Sequence, residues 1–249
     1  MSKGAGRAIR KRASIRIYGD DAIRPPMRLA VLCDFDGTIT TRDASYAILE
    51  RFGEGDWRSI EERAYTHEIT ILEALKLQAG MVKVGEEEAS AFLRENIGMR
   101  EGFREFALGC REEGIHLEIC SDGFGWTMEV LLEHWGLEWI PWTSNRTVPS
   151  ENGWEIHFDH RREGCPINAN CKCAHYERLK RENEQVIFIG DGTTDECVSR
   201  IADVVFARDR LLELCRRSGR VCIPWKKWND VKEKMASLLR GNYPSNIQS

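Results

Sequence analysis

Short apolar runs recur along the chain at residues 29–33, 117–120, 186–189, 204–207 and 221–223. Each is apolar at nearly every position rather than at alternate ones. That pattern suits strands buried on both faces, as in the middle of a parallel sheet. Helical spacing fills the gaps between them. Phe103, Phe106, Ala107 and Cys110 share one helix face, Trp126, Val130 and Leu131 another, and Leu211, Leu212 and Cys215 a third. Strands alternating with helices predict an α/β fold with a Rossmann-like, mostly parallel sheet core.

Two stretches break the alternation. Residues 45–97 are rich in Glu, Ala, Leu and Arg, carry Ala89, Phe92, Leu93 and Ile97 at helical spacing, and contain no strand pattern. They read as a small helical insertion above the first strand, leaving 27–44 and 98–240 as the α/β core. Residues 140–173 hold turn formers and the alternating WEIHF at Trp154 to Phe158, which predicts a β-hairpin excursion.

The chain has 249 residues, 42% of them hydrophobic and 31% charged, enough for one sizeable core plus an insertion. A formal net charge of -4 gives no reason to expect a nucleic-acid partner or an anionic membrane surface. No apolar stretch has the length of a membrane span, and no secretory leader pattern opens the sequence. The nine cysteines are therefore expected as reduced thiols of a cytoplasmic protein, monomeric or homodimeric. Residues 1–26 differ from the rest: Lys3, Arg7, Arg10, Lys11, Arg12 and Arg16 occur before the first acid. A transit segment or a nucleic-acid arm would share this composition. A disordered tail ahead of Met27 is the expected reading, because Pro25 and Pro26 close the segment.

The chemistry lies where the apolar runs end. In an open parallel sheet, ligands bind beyond the carboxyl ends of the strands. The first run is followed by Asp34, Phe35, Asp36, Gly37 and Thr38; the second by Ser121, Asp122 and Gly123; the third by Gly190, Asp191 and Gly192, with Asp195 shortly after. One such Asp-Gly is normally a turn. Three at neighbouring strand ends converge on one crevice.

This combination resembles the haloacid-dehalogenase superfamily of phosphohydrolases. DFDGT resembles its first motif, Ser121 its second, a lysine ahead of the last motif its third, and GDGTTD its fourth. The resemblance spans roughly residues 27–228 and is nearest to the phosphoserine-phosphatase branch, whose small helical cap lies between the first two motifs. Within that branch, CDFDGTIT, REGFREF, the cysteine-bearing stretch before the lysine and FARDRLL resemble a methionine-salvage subgroup. The resemblance implies that residues 45–97 form the cap and that the substrate is a small phosphorylated metabolite. It implies Mg2+ held by Asp34, Asp191 and the backbone carbonyl of Asp36. Asp34 would be the nucleophile that forms an aspartyl-phosphate, and Asp36 the acid and base. Thr38, Ser121 and Gly123 would meet the phosphate, while Gly192 and Asp195 support the metal side. Lys172 is the expected third-motif cation, because it opens a helical segment facing the crevice, whereas Lys180 falls farther along toward solvent.

Alternatives remain open at this point. The same motifs serve phosphomutases and phosphotransferases, and a silent binding module could keep the fold. Asp122 stands where this branch usually has glycine. It either caps a turn and points away, or faces the crevice as part of the substrate site and favours phosphoserine or a phosphoamine. Cys165, Cys171, Cys173 and His175 are close in sequence, but their spacing is not a standard zinc pattern, so free thiols are expected. Trp126, Trp135, Trp139 and Trp142 are expected to pack the core and hairpin.

Overall fold

A computed structural model describes residues 28–165 and 169–239; the basic segment discussed above lies outside them. Seven strands form one sheet in the order β4-β3-β2-β1-β5-β6-β7. They are β1 (Leu29–Cys33), β2 (His116–Phe124), β3 (Trp142–Val148), β4 (Glu155–His157), β5 (Gln185–Gly190), β6 (Val204–Ala207) and β7 (Ile223–Pro224). All neighbours run parallel except β3 and β4, which are antiparallel. The fold is the expected α/β class.

The all-apolar β1 is central and buried on both faces. Because side chains alternate along a strand, Val31 and Cys33 enter one core layer and Ala30 and Leu32 the other. The first layer takes in α5 (Phe103–Glu113), α6 (Gly125–His134) and α10 (Trp228–Leu239), with the Trp228 ring against both Phe103 and Phe106. The second takes in α7 (Lys172–Glu182), α8 (Glu196–Ile201) and α9 (Asp209–Ser218).

Between β1 and α5 lie α1 (Ala44–Phe52), α2 (Trp57–Tyr65), α3 (Ile71–Met81) and α4 (Glu86–Asn96). Local chemistry sets their starts. Asp43 accepts from the Tyr46 N–H at 2.8 Å to cap α1, and Thr70 with Glu73 forms a reciprocal capping box on α3. Trp154, beside β4, ties this helical group to the sheet by donating from its ring nitrogen to the Val84 carbonyl at 2.9 Å.

Three details differ from the sequence expectation. The hairpin is no separate excursion: β3 pairs in parallel with β2, matching Ile119 to Trp142, and β4 extends the same sheet. The last strand sits slightly later than the apolar run, at Ile223–Pro224. And β2 does not stop at Cys120. It runs through Ser121, Asp122 and Gly123 to Phe124, with a register shift between Cys120 and Phe124 that marks a bulge.

Candidate active site

The chain order places β2 on one side of β1 and β5 on the other, so a crevice opens beyond the carboxyl ends of β1 and β5. Asp34 follows β1 directly and its N–H donates to the Ile189 carbonyl of β5 at 2.9 Å. Asp191 follows β5, and Asp195 lies in the short turn of helix after it. Carboxylate oxygens of Asp34, Asp191 and Asp195 all lie within 4.8 Å of one another. Among the described residues, no other group of acids, histidines or cysteines meets that spacing.

Lys172, the first residue of α7, reaches into this group. Its side chain is fully buried; Nζ donates to Asp34 Oδ1 at 2.5 Å, to Asp195 Oδ1, and to Thr194 Oγ1 at 3.3 Å. Burial raises the Asp34 pKa well above the carboxylate range, Asp195 raises it further, and Lys172 pulls it back. Burial would lower Lys172, yet Asp195 and Asp34 hold it well above its ordinary value. One cation thus faces three clustered carboxylates, of which Asp191 is also raised, chiefly by burial. Asp195 further organises the turn after β5, accepting from the Asp191 and Gly192 N–H groups at 3.0 and 2.9 Å.

Asp36 stands apart from the acidic group. Its Oδ1 accepts from the Ala44 N–H at 2.8 Å and its Oδ2 from the Ser121 hydroxyl at 3.3 Å. Burial pushes its pKa up to about 6, against those hydrogen bonds. An acid near neutrality can both give and take a proton at working pH. Ser121 in turn accepts from the Gly123 N–H at 3.0 Å. Gly123 has no substitute here: a Cβ would sit 2.6 Å from the Ser45 hydroxyl and 2.8 Å from Asp36 Oδ2. Gly37 is equally required, with φ of +75° and the Asp191 carboxylate against its α-carbon.

Thr38 and Asp122 are both engaged within the protein. The Thr38 hydroxyl donates to Asp191 Oδ1 at 2.7 Å, so it serves the acidic group rather than the open crevice. Asp122 caps the backbone: its Oδ1 accepts from the Asn170 N–H at 2.7 Å, and burial raises its pKa to about 6. It holds the chain just before α7. The cysteine stretch also divides. Cys165, Cys171 and Cys173 line a cavity of about 210 Å3 together with Cys197 from α8, while His175 points to Asn170 and Glu118. Sequence spacing could not reveal Cys197 as the fourth thiol. It also gave no signal for Arg100, whose Nε donates to the Gly37 carbonyl at 3.0 Å, or for Asn170.

The family model for haloacid dehalogenase-like hydrolases matches residues 31–200, more than half of the chain. A 2-hydroxy-3-keto-5-methylthiopentenyl-1-phosphate phosphatase of Bacillus pumilus is 32% identical over 215 residues, covering 84% of this chain and 91% of that protein. Its counterpart from Geobacillus kaustophilus is also 32% identical, covering 85% and 97%. In fold, the chain is similar to a structure described as a phospho-aspartyl intermediate analogue of phosphoserine phosphatase. That similarity has a TM-score of 0.63 at 19% identity and covers 84% of this chain and 99% of that one.

Proposed function

The chain belongs to the haloacid dehalogenase-like hydrolase family, and from that premise we propose that it is a Mg2+-dependent phosphatase acting on a small phosphorylated metabolite. The observation that carries the reading is the buried set of Asp34, Asp191, Asp195 and Lys172 beside a separately held Asp36.

The residues present fit a hard divalent cation. Three carboxylates at metal-like spacing offer only oxygen donors, and burial raises the pKa values of Asp34 and Asp191, which a bound cation would offset. When bound, Mg2+ would supply the charge that lets a carboxylate approach a phosphate dianion. Asp34 and Asp191, with the backbone carbonyl of Asp36, would hold it, and Asp195, engaged by Lys172 and by the Asp191 and Gly192 N–H groups, would support them. Asp34 attacks phosphorus, forming its own acyl-phosphate bond as the ester oxygen leaves. Asp36 protonates that leaving oxygen, then takes a proton from the water that cleaves the aspartyl-phosphate and releases inorganic phosphate. Lys172 keeps Asp34 aligned and offsets charge on the phosphoryl oxygens, and Ser121 donates to one of them. The helical group α1–α4 would act as the cap and shape the leaving-group side.

Asp122 is occupied by Asn170, which removes the reason to favour an ammonium-bearing substrate such as phosphoserine. The named relatives make 2-hydroxy-3-keto-5-methylthiopentenyl-1-phosphate the first substrate to assay. The test is phosphate release from a panel of phosphorylated metabolites that includes it, with Mg2+ and with chelator. Asp34→Asn should abolish turnover. Asp36→Asn should lose turnover while keeping the Mg2+-induced rise in thermal midpoint. Wild-type turnover in Asp34→Asn would overturn the assignment.

A further inference from the structure

The bulge in β2 has a cost at the backbone. Where the register shifts, Ser121, Asp122 and Gly123 are drawn out of the regular ladder, and side chains take over their carbonyls. The Ser121 carbonyl accepts from Asn170 Nδ2 at 2.8 Å, the Asp122 carbonyl from Asn145 Nδ2 at 2.7 Å, and the Gly123 carbonyl from the Ser144 hydroxyl at 3.0 Å. The position of Ser121 thus depends on the orientation of one buried amide, that of Asn170.

That amide is itself held from behind. Asn170 Oδ1 lies 2.8 Å from His175 Nε2 on α7. Because Nδ2 is engaged with the Ser121 carbonyl, Oδ1 is the acceptor and His175 Nε2 must carry the hydrogen. The other ring nitrogen, Nδ1, faces Glu118 Oε1 at 3.6 Å. Glu118, on β2 and 4% exposed, is in turn fixed by Arg178 at 2.5 Å from each carboxylate oxygen and by His116 at 3.4 Å. Burial works against its charge, but the His116, His175 and Arg178 contacts keep its pKa below the usual carboxylate range. A string of contacts therefore runs from Glu118, which lies against the ring of His175, through the hydrogen bonds of His175 and Asn170 to the backbone of Ser121.

We propose that His175, oriented by Glu118, is a positioning residue for phosphoryl transfer, acting through Asn170 to hold Ser121 where its hydroxyl meets Asp36 and the phosphoryl group. The proposal rests on the role given to Ser121 in the phosphatase reading. The hydrogen-bond partners of His175 include neither the acidic group nor Asp36, so its route to the reacting atoms runs through Asn170 and Ser121. A misplacement of about 1 Å at a positioned group can cost about 100-fold in rate.

The experiment is a double-mutant cycle on the full chain with Mg2+, comparing His175→Phe, Ser121→Ala and the double variant in kcat and KM. His175→Phe removes the donor and keeps a ring of similar volume. It should lower kcat/KM by about 10–100-fold while keeping the Mg2+-induced thermal shift. The double variant should be no more than about twofold slower than Ser121→Ala alone, since residues that act through one another are not additive. Losses that multiply in the double variant, or wild-type kinetics in His175→Phe, overturn the proposal. If His175→Phe does not fold, Asn170→Asp takes its place in the cycle. Its carboxylate still accepts from His175 but cannot donate to the Ser121 carbonyl, and the same outcomes decide. Wild-type turnover in Ser121→Ala, by contrast, would overturn the role of Ser121 in the phosphatase reading itself, and this proposal with it.

Discussion

Lys172 gives the sharpest test of the site's electrostatics. A sequence reading expects Lys172→Ala to cripple turnover and leave the fold intact, but the structure demands more of this side chain. It is completely buried, with Asp34 and Asp195 as direct partners and Asp191 in the same group. Lys172→Met keeps the length and removes the charge, leaving three clustered carboxylates without a cation. Breaking a buried pair by removing one partner costs about 3–5 kcal/mol. At about 2–4 °C per kcal/mol for a chain of this size, the thermal midpoint should fall by about 6–20 °C at pH 8 in chelator. The sign with pH follows from Asp34, whose folded pKa is already raised. Without Lys172 it rises further. The deficit relative to wild type is then full above the variant's folded pKa and shrinks as pH falls toward the wild-type folded pKa, itself raised by burial. Scanning calorimetry at pH 8 and pH 5.5 should therefore show the deficit narrowing, and added Mg2+ at pH 8 should narrow it too. Lys180→Ala is the control: its pair with Asp203 at 2.8 Å is partly exposed and should contribute at most about 1 kcal/mol. A Lys172→Met midpoint within about 2 °C of wild type at pH 8 in chelator would refute the argument.

Asp122 makes a pH prediction of its own. Its folded pKa of about 6 lies above the unfolded value, so ionised Asp122 destabilises the fold above pH 6 and the penalty fades below it. Asp122→Asn, which can still accept from Asn170, should raise urea stability at pH 8 by about 2–3 kcal/mol, with a smaller gain at pH 5; a loss at pH 8 would show the charge to be net stabilising. For the cysteines, elemental analysis of chelator-washed protein should find no stoichiometric zinc. One zinc per chain, with unfolding on its removal, would contradict the reading of Cys165, Cys171, Cys173 and Cys197 as free thiols.

What the sequence revealed and what it hid follow from the range of the interactions concerned. The runs that became β1, β5 and β6 are legible because a strand buried on both faces must be apolar throughout. The approach of Asp34 to Asp191 is legible for a related reason: polar residues that directly follow adjacent parallel strands must lie near one another. The bulge in β2 was not legible, because a register shift is a property of two strands and SDGF alone carries no mark of it. The direction taken by Asp122 was equally hidden, since it is decided by Asn170, far along the chain. His175 looked like a companion of the nearby cysteines. One helix face, however, carries it toward Glu118, while α8 brings Cys197 to the cavity instead.

The central place of β1 has a consequence for how the molecule is made. One of its edges pairs with β2, but the other finds its partner only in β5, where Leu29 meets Gln185. At about 5–20 residues per second, a ribosome needs on the order of ten seconds or more to deliver that partner. Throughout that interval an all-apolar central strand has one unsatisfied edge, the situation in which edge-to-edge association competes with folding. The Lys172–Asp34 pair, 138 positions apart in the chain, cannot close until the start of α7 has been made, shortly ahead of β5. Nascent chains that end ahead of β5 would therefore be the aggregation-prone species, and the emergence of a strand late in synthesis, rather than any step at the first motif, would commit the chain to its native state.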